Sequence, residues 1–316
     1  MRSLRALSIS QPLHRRLQAR PFSGQVLASF EQACDLITAD GEVVALVVSS
    51  TGDGPLNVVV DAARGDFDKL KPGNPARVQG TSLRVGHMAV ELSGAVAWDP
   101  RPAWDSLRAC DQAGVERLSE LRRLALDLSP PAEYRFLCGG SLAMLLRDDL
   151  TMPVAEDSAA KALATRAFAA AKMLRLGWEG SLPQLQTGAS LLAGLGGGLT
   201  PAGDDLLCGL MLWAWLAHPA PGPFCEALLT SAEPRTTTLS AAFLRAAARG
   251  ECTAKWHGLL QALCSTEGMP LEPRALGVLR VGATSGADTL AGFLWMGTAE
   301  PAETLRCPSL DCPQAG

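Results

Sequence analysis

One tyrosine, 5% aromatic residues and 19% charged residues leave this 316-residue chain short of the side chains from which many sites are built. Its four histidines, His14, His87, His218 and His257, are scattered and have no metal-ligand spacing. Nine cysteines occur without a single C-x-x-C pair. An odd count without framework spacing excludes a disulfide scaffold and fits a reducing, cytoplasmic compartment. No P-loop lysine, G-x-S-x-G elbow or Cys–His constellation is legible. Basic residues do not exceed acidic ones, and the formal net charge of −4 argues against a nucleic-acid partner. The N-terminus lacks the continuous apolar stretch of a signal peptide. The longest apolar run, Leu206 to Ala217, is too short to span a bilayer and carries a glycine, so no membrane partner is expected.

What the chain does have is apolar residues, 47% of the total, enough for a sizeable core in one large or two ordinary domains. Residues 1–22 read as a separate, solvated segment containing Arg15, Arg16 and Arg20. Residues 23–100 read as a β-rich module. Val43 to Val48 is a continuous β-branched run, Asn57 to Val60 a shorter one, His87 to Leu92 alternates, and Gly94 to Trp98 ends at Asp99-Pro100. Asp40-Gly41, Gly52-Asp53-Gly54-Pro55 and Pro72-Gly73-Asn74-Pro75 supply the turns. Residues 101–300 read as helical, with helices at 103–127 (split near Ala113-Gly114), 158–176, 201–217, 222–231, 238–249, 253–265 and 286–297. Residues 301–316 form a Pro-rich tail holding Cys307 and Cys312. The expected fold is α+β: a small N-terminal antiparallel β barrel or sandwich followed by a larger α-helical domain.

The densest signal is Leu195-Gly196-Gly197-Gly198-Leu199-Thr200-Pro201-Ala202-Gly203-Asp204-Asp205. Glycines let main-chain N–H groups turn toward a ligand and let it approach closely. Thr200 suits an N-cap and Pro201 a first helical position, so the helix start would favour an anion. The following helix is apolar all round, the mark of a buried central helix, and so presents this loop from inside the domain. Asp204 and Asp205 complement the helix dipole whatever else they do. Adjacent positions point about 100° apart, so one of the two is expected to face a ligand, and Asp205 is favoured.

A second stretch repeats the device. Gly203, Asp205, Leu207 and Gly209 match Gly286, Asp288, Leu290 and Gly292 in spacing, the latter preceded by Thr284 and Ser285. Two helix starts could then converge on one ligand with Asp205 and Asp288 on opposite sides, although Ser285-x-x-Asp288 is also an ordinary capping box. Between the copies lies Arg235-Thr236-Thr237-Thr238-Leu239-Ser240. Arg235 could fork a carboxylate or phosphate, and the hydroxyls either cap a helix or add hydrogen bonds to the ligand. Candidate catalytic groups are therefore Asp205, Asp288 and Asp204. Candidate anion-binding groups are Gly196, Gly197, Gly198, Thr200, Gly203, Arg235, Thr236, Thr237, Thr284, Ser285 and Gly286.

The stretches GLGGGLTPAGDDLLCG, RTTTLSAAFLRAAARG and GATSGADTLAG, in this order and spacing, resemble the AllH-type family of oxamate carbamoyltransferase subunits, and the β-rich part ending in Trp98-Asp99-Pro100 is similar too. The likeness covers roughly residues 23–298. The chain departs from the family pattern at Gly197, where proline is usual, and at Ala202, where serine is usual, which removes a hydroxyl from the loop. The resemblance implies a role in allantoin breakdown, with a carbamoyl group moving between oxalurate and phosphate to give oxamate and carbamoyl phosphate. It also implies partner subunits, one resembling acyl-CoA synthetases. A competing reading is a non-catalytic assembly subunit or a sensor of a small anion. Carboxylates beside a phosphate repel it unless protonated, hydrogen-bonded or bridged by a cation; a bound Mg²⁺ or K⁺ would relieve the repulsion, though no spacing demands one.

Overall fold

A computed structural model describes residues 2–20, 22–109, 113–128, 158–265 and 268–297. The tail 301–316, with Cys307 and Cys312, lies outside them, as do Cys110 and Cys138.

The N-terminal part is a closed barrel. Its strands are β1 (Arg2–Ser10), β2 (Ser23–Ser29), β3 (Ala33–Thr38), β4 (Val43–Val48), β5 (Asn57–Val60), β6 (Pro75–Gln79), β7 (Ser82–Val85), β8 (Met88–Glu91) and β9 (Val96–Trp98). Eight of them follow the order β5-β4-β3-β2-β6-β7-β8-β1, and a β1–β5 pairing closes the ring. Most neighbours are antiparallel, but β4–β5 and β1–β8 are parallel, and β9 runs parallel to the second half of β1. Eight strands leave a bore that side chains can fill. Leu4, Ile9, Phe22, Leu36, Leu46, Phe67, Leu83 and Met88 are among those that do so.

The sheet corrects one expectation. Residues 1–22 are no separate solvated segment. Leu4 and Ala6 point into the barrel, and β1 is the strand that closes it, with a bulge between Ala6 and Ser8. The helix α1 (Gln11–Ala19) then buries Leu13 and Leu17 against the same core. Its arginines suggested solvent, but Arg16 pairs with Glu42.

β4 explains its unbroken apolar run. Val44, Leu46 and Val48 face the bore, while Val43, Ala45 and Val47 are covered on the outer face. Part of that cover is α8 (Thr238–Ala248), whose Leu239, Ala242 and Phe243 pack with Val43, Leu27 and Leu56. Main-chain bonds from Ala254 to Asp53 O (3.0 Å) and from Cys252 to Pro100 O (2.9 Å) join the two parts further.

The helical part comprises α2 (Trp104–Arg108), α3 (Ala113–Leu128), α4 (Ser158–Trp178), α5 (Leu182–Leu192), α6 (Ala202–Ala217), α7 (Pro221–Ala232), α8, α9 (Ala254–Leu263), α10 (Glu272–Leu279) and α11 (Ser285–Gly297). A 3₁₀ turn at Glu233–Arg235 precedes α8. As its all-round apolarity requires, α6 is the central helix, touching α2, α5, α7, α8 and α11. It crosses α11 at glycines. A β-carbon on Gly209 would lie 1.8 Å from Thr289 O, and one on Gly292 would lie 2.0 Å from Leu206 O. These contacts are reciprocal, so the two helices are related by a local twofold.

Candidate functional site

The repeat read in the sequence is structural. α5–loop–α6 and α10–loop–α11 are equivalent units, and their second helices form the crossed pair. In each, a buried glycine lets the incoming helix pass over the end of the preceding one. A β-carbon on Gly203 would lie 2.0 Å from Leu192 O, and one on Gly286 would lie 2.0 Å from Val278 O. Each glycine amide is spent on its own loop, Gly203 on Leu195 O (2.8 Å) and Gly286 on Val281 O (2.9 Å). Gly203 and Gly286 thus serve close packing, and their amides are not available to a ligand.

The two loops differ in length. Leu192 to Gly203 is three residues longer than Val278 to Gly286, and the excess is the exposed glycine run. The amides of Gly196, Gly197, Gly198, Leu199 and Thr200 donate to no described residue. Around Gly197 and Gly198 a β-carbon would meet nothing within 4 Å, whereas at Gly196 it would lie 2.8 Å from Ala202 N. Gly196 and Gly198 also hold positive φ angles of 119° and 85°. The helix start itself offers less: Asp204 and Asp205 amides bond to Pro201 O at 2.9 and 3.2 Å. At the helix start only the Ala202 amide donates to no described residue, so most of the unspent donors lie in the loop.

Side chains pin this loop from three sides. Asp204, 1% exposed, accepts from the Gly194 amide (3.1 Å) and from the Thr236 hydroxyl. Thr237 donates to Leu199 O (2.5 Å), while its oxygen caps α8 by accepting from Ser240 N (3.1 Å). Thr200 lies 3.0 Å, oxygen to oxygen, from Ser285 across the helix pair. Thr200 therefore does not cap α6, whose N-cap position is Pro201. Ser285 likewise sits inside α11, and Thr284 takes the cap position, its carbonyl accepting from Asp288 N (2.9 Å).

The three candidate acids now separate. Burial raises the Asp204 carboxyl above its usual range, but bonds from Thr236, Gly194 and Ser240 pull it back. Asp205 is pushed well above, by burial first, with the negative charges of Asp288 and Asp204 adding and the Ser285 hydroxyl opposing. Its Oδ2 is buried and accepts no hydrogen bond from any described residue. Asp288, fully buried, shares this space from α11. Arg235 adjoins the loop through its carbonyl, which packs against Gly194, while its side chain is exposed and has no ion pair among the described residues. Oxygen donors such as Asp205, Asp288, Ser285 and Thr200 would suit a hard cation. Among the described residues, however, no three His, Cys, Asp or Glu gather as a ligand set.

Sequence reasoning missed the Thr200–Ser285 contact and the Asp204–Thr236 pin. Both join positions far apart in the chain, and hydroxyl-rich helix starts were their only signal. It also missed α5 and α10, short helices whose ends set the approach of the two glycines.

A filled eight-stranded barrel carrying a helical domain, with a glycine-rich loop at the start of a central buried helix, defines a two-part protein whose loop amides at residues 196–200 donate to no described residue. Two family models match it. The one described as "AllH family N-terminal domain" covers residues 5–97, and the one described as "Oxamate carbamoyltransferase subunit AllH" covers residues 192–297. The chain belongs to the AllH family, whose name indicates an oxamate carbamoyltransferase subunit and implies partner subunits in a complex. The second match begins at Leu192, the last residue of α5, and ends with α11, and so takes in both loops and the crossed helix pair α6 and α11. No solved structure matches the chain. No described helix is long and apolar enough to cross a membrane.

Proposed function

We propose that this chain forms the anion-binding and proton-donating part of an oxamate carbamoyltransferase, acting in the direction oxalurate + phosphate to carbamoyl phosphate + oxamate. One observation carries the reading: five consecutive main-chain amides, residues 196–200, donate to no described residue, in a loop whose Thr200 meets Ser285, the hydroxyl that also meets the buried carboxyl of Asp205. Main-chain amides gathered at glycines are donors for phosphate or carboxylate. Arg235, exposed beside the loop, supplies a cation to the same anion or to the second one.

In phosphorolysis a phosphate oxygen attacks the ureido carbonyl carbon of oxalurate, the C–N bond breaks, and the departing oxamate nitrogen must gain a proton. An acid that holds its proton more tightly than an ordinary carboxyl suits that step, and burial shifts Asp205 in that direction. Protonation also removes the repulsion between Asp205 and phosphate. Asp288 shares the position across the helix pair and orients the same nitrogen. Asp204, held by Gly194 and Thr236, positions the loop.

The test is carbamoyl phosphate formation from oxalurate and phosphate by the assembled complex, with wild-type chain, with Asp205→Asn, and with the chain omitted. General-acid catalysis contributes about 10²–10⁴-fold, so Asp205→Asn should lower kcat by about 10² or more. Unchanged kcat would remove Asp205 from the chemistry, and full activity without the chain would remove the chain.

A further inference from the structure

A second ligand-sized space lies away from the glycine loop, where the barrel meets α8. It is a cavity of about 300 Å³ between α1, β4, the Pro55-Leu56 turn and one face of α8, at the small end of the range for ligand pockets. Its walls are of two kinds. Leu13, Leu17, Phe22 and Val44 form an apolar floor continuous with the barrel core. Three arginines, Arg16, Arg245 and Arg249, are among its lining residues, against the single carboxylate Glu42, which pairs with Arg16.

Its position follows from the sequence of α8. Ala242, Arg245 and Arg249 are three and four residues apart, so they share a face. Ala242 is small where the helix crosses the barrel, which leaves the space open, and the two arginines line its side. Each arginine has a carboxylate partner but keeps donors in hand. Arg245 uses Nε on Glu233 (2.7 Å), and its two Nη groups donate to no described residue. Arg249 spends Nε and Nη2 on Glu251, both at 2.8 Å, leaving Nη1. Guanidinium donors above an apolar floor fit a planar anion attached to an apolar body: the fork takes the head and the floor the body.

We infer that this cleft between barrel and helical domain binds a small amphipathic anion, a carboxylate or phosphate monoester bearing a compact apolar group. The site shares no lining residue with the glycine loop, so its ligand is distinct from the substrate proposed there. Nothing in the inference depends on carbamoyl transfer.

Calorimetric titration of the full chain tests it with four probes: benzoate, phenyl phosphate, benzamide and acetate. Saturable binding of benzoate or phenyl phosphate is expected, and whichever binds more tightly identifies the head group. Benzamide, which lacks the charge, and acetate, which lacks the apolar body, should each bind at least about tenfold more weakly. Arg245→Gln, which breaks only a half-exposed ion pair, should weaken the aromatic anion by about tenfold or more. Ala242→Leu, which fills the space, should abolish binding. No saturable binding by either aromatic anion would overturn the inference. So would equal binding of benzamide, or affinities unmoved by both substitutions.

Discussion

Replacing Gly209 by alanine places a methyl carbon 1.8 Å from the Thr289 carbonyl oxygen, at the point where α6 and α11 cross. An ordinary contact there needs more than 3 Å, so the axes must part by over an ångström. That parting also loosens the reciprocal contact of Gly292 with Leu206 O. The obstacle is main chain on both sides and cannot turn aside as a side chain would. Overpacking of this kind costs ~1–3 kcal/mol or more. Against it stands the ~0.8–1 kcal/mol by which alanine outranks glycine in a helix interior. Overpacking wins, and a net loss of about 1–2 kcal/mol is expected from urea denaturation midpoints. Gly277→Ala provides the contrast. It makes the same chemical change in α10, but nothing lies within 4 Å of the new carbon. With only propensity acting, it should gain about 0.5–1 kcal/mol. The opposite signs are the content of the prediction. A Gly209→Ala chain as stable as the wild type, or more so, would refute the close crossing and with it the placement of Asp205 opposite Asp288.

Asp35, on the outer face of β3, sits among buried apolar neighbours, and burial raises its carboxyl from 3.8 to about 6. The folded state therefore holds this proton more tightly than the unfolded chain. The associated stability is present below about pH 3.8 and is lost as pH climbs through 6. At ~1.36 kcal/mol per pH unit the difference reaches about 3 kcal/mol. Asp35→Asn should accordingly gain stability relative to wild type between pH 4 and pH 7; parallel pH profiles of the two denaturation midpoints would contradict this. Thr236→Val removes the hydroxyl that donates to buried Asp204, at a cost of about 1–3 kcal/mol. Because Asp204 also holds Gly194, the KM for phosphate should rise more than kcat falls, and an unchanged KM would detach the loop from phosphate binding.

Much of the helical part was legible because helix signals are local. The Thr200-Pro201 helix start, the helical run from Ser158 and the hydroxyls before Thr238 all act within a few residues of where they stand. The repeat was legible for the same reason, since a glycine two positions before an aspartate and six before a second glycine is a short pattern. Its meaning was not. Gly203 and Gly286 suggested donors to a ligand, yet both exist to clear a carbonyl of the preceding helix, a fact held by Leu192 and Val278. The capping roles of Thr200 and Ser285 failed similarly, because each hydroxyl meets the other across the helix pair and not its own helix.

By itself the sequence determined the order of the two parts, the central place of α6 and the open glycine run at residues 196–198. Each of these follows from composition or from glycine's lack of a side chain. Only the tertiary structure decided that β1 closes the barrel, because closure requires pairing with β5 and β8, residues 57–91, and no nearby pattern encodes a partner so distant. It also decided which acid accepts bonds from Gly194 and Thr236 and which carboxyl is pushed furthest above its usual range. Asp204 and Asp205 are neighbours of the same type. Desolvation and hydrogen bonding separate them, and both depend on groups brought in by α8 and α11.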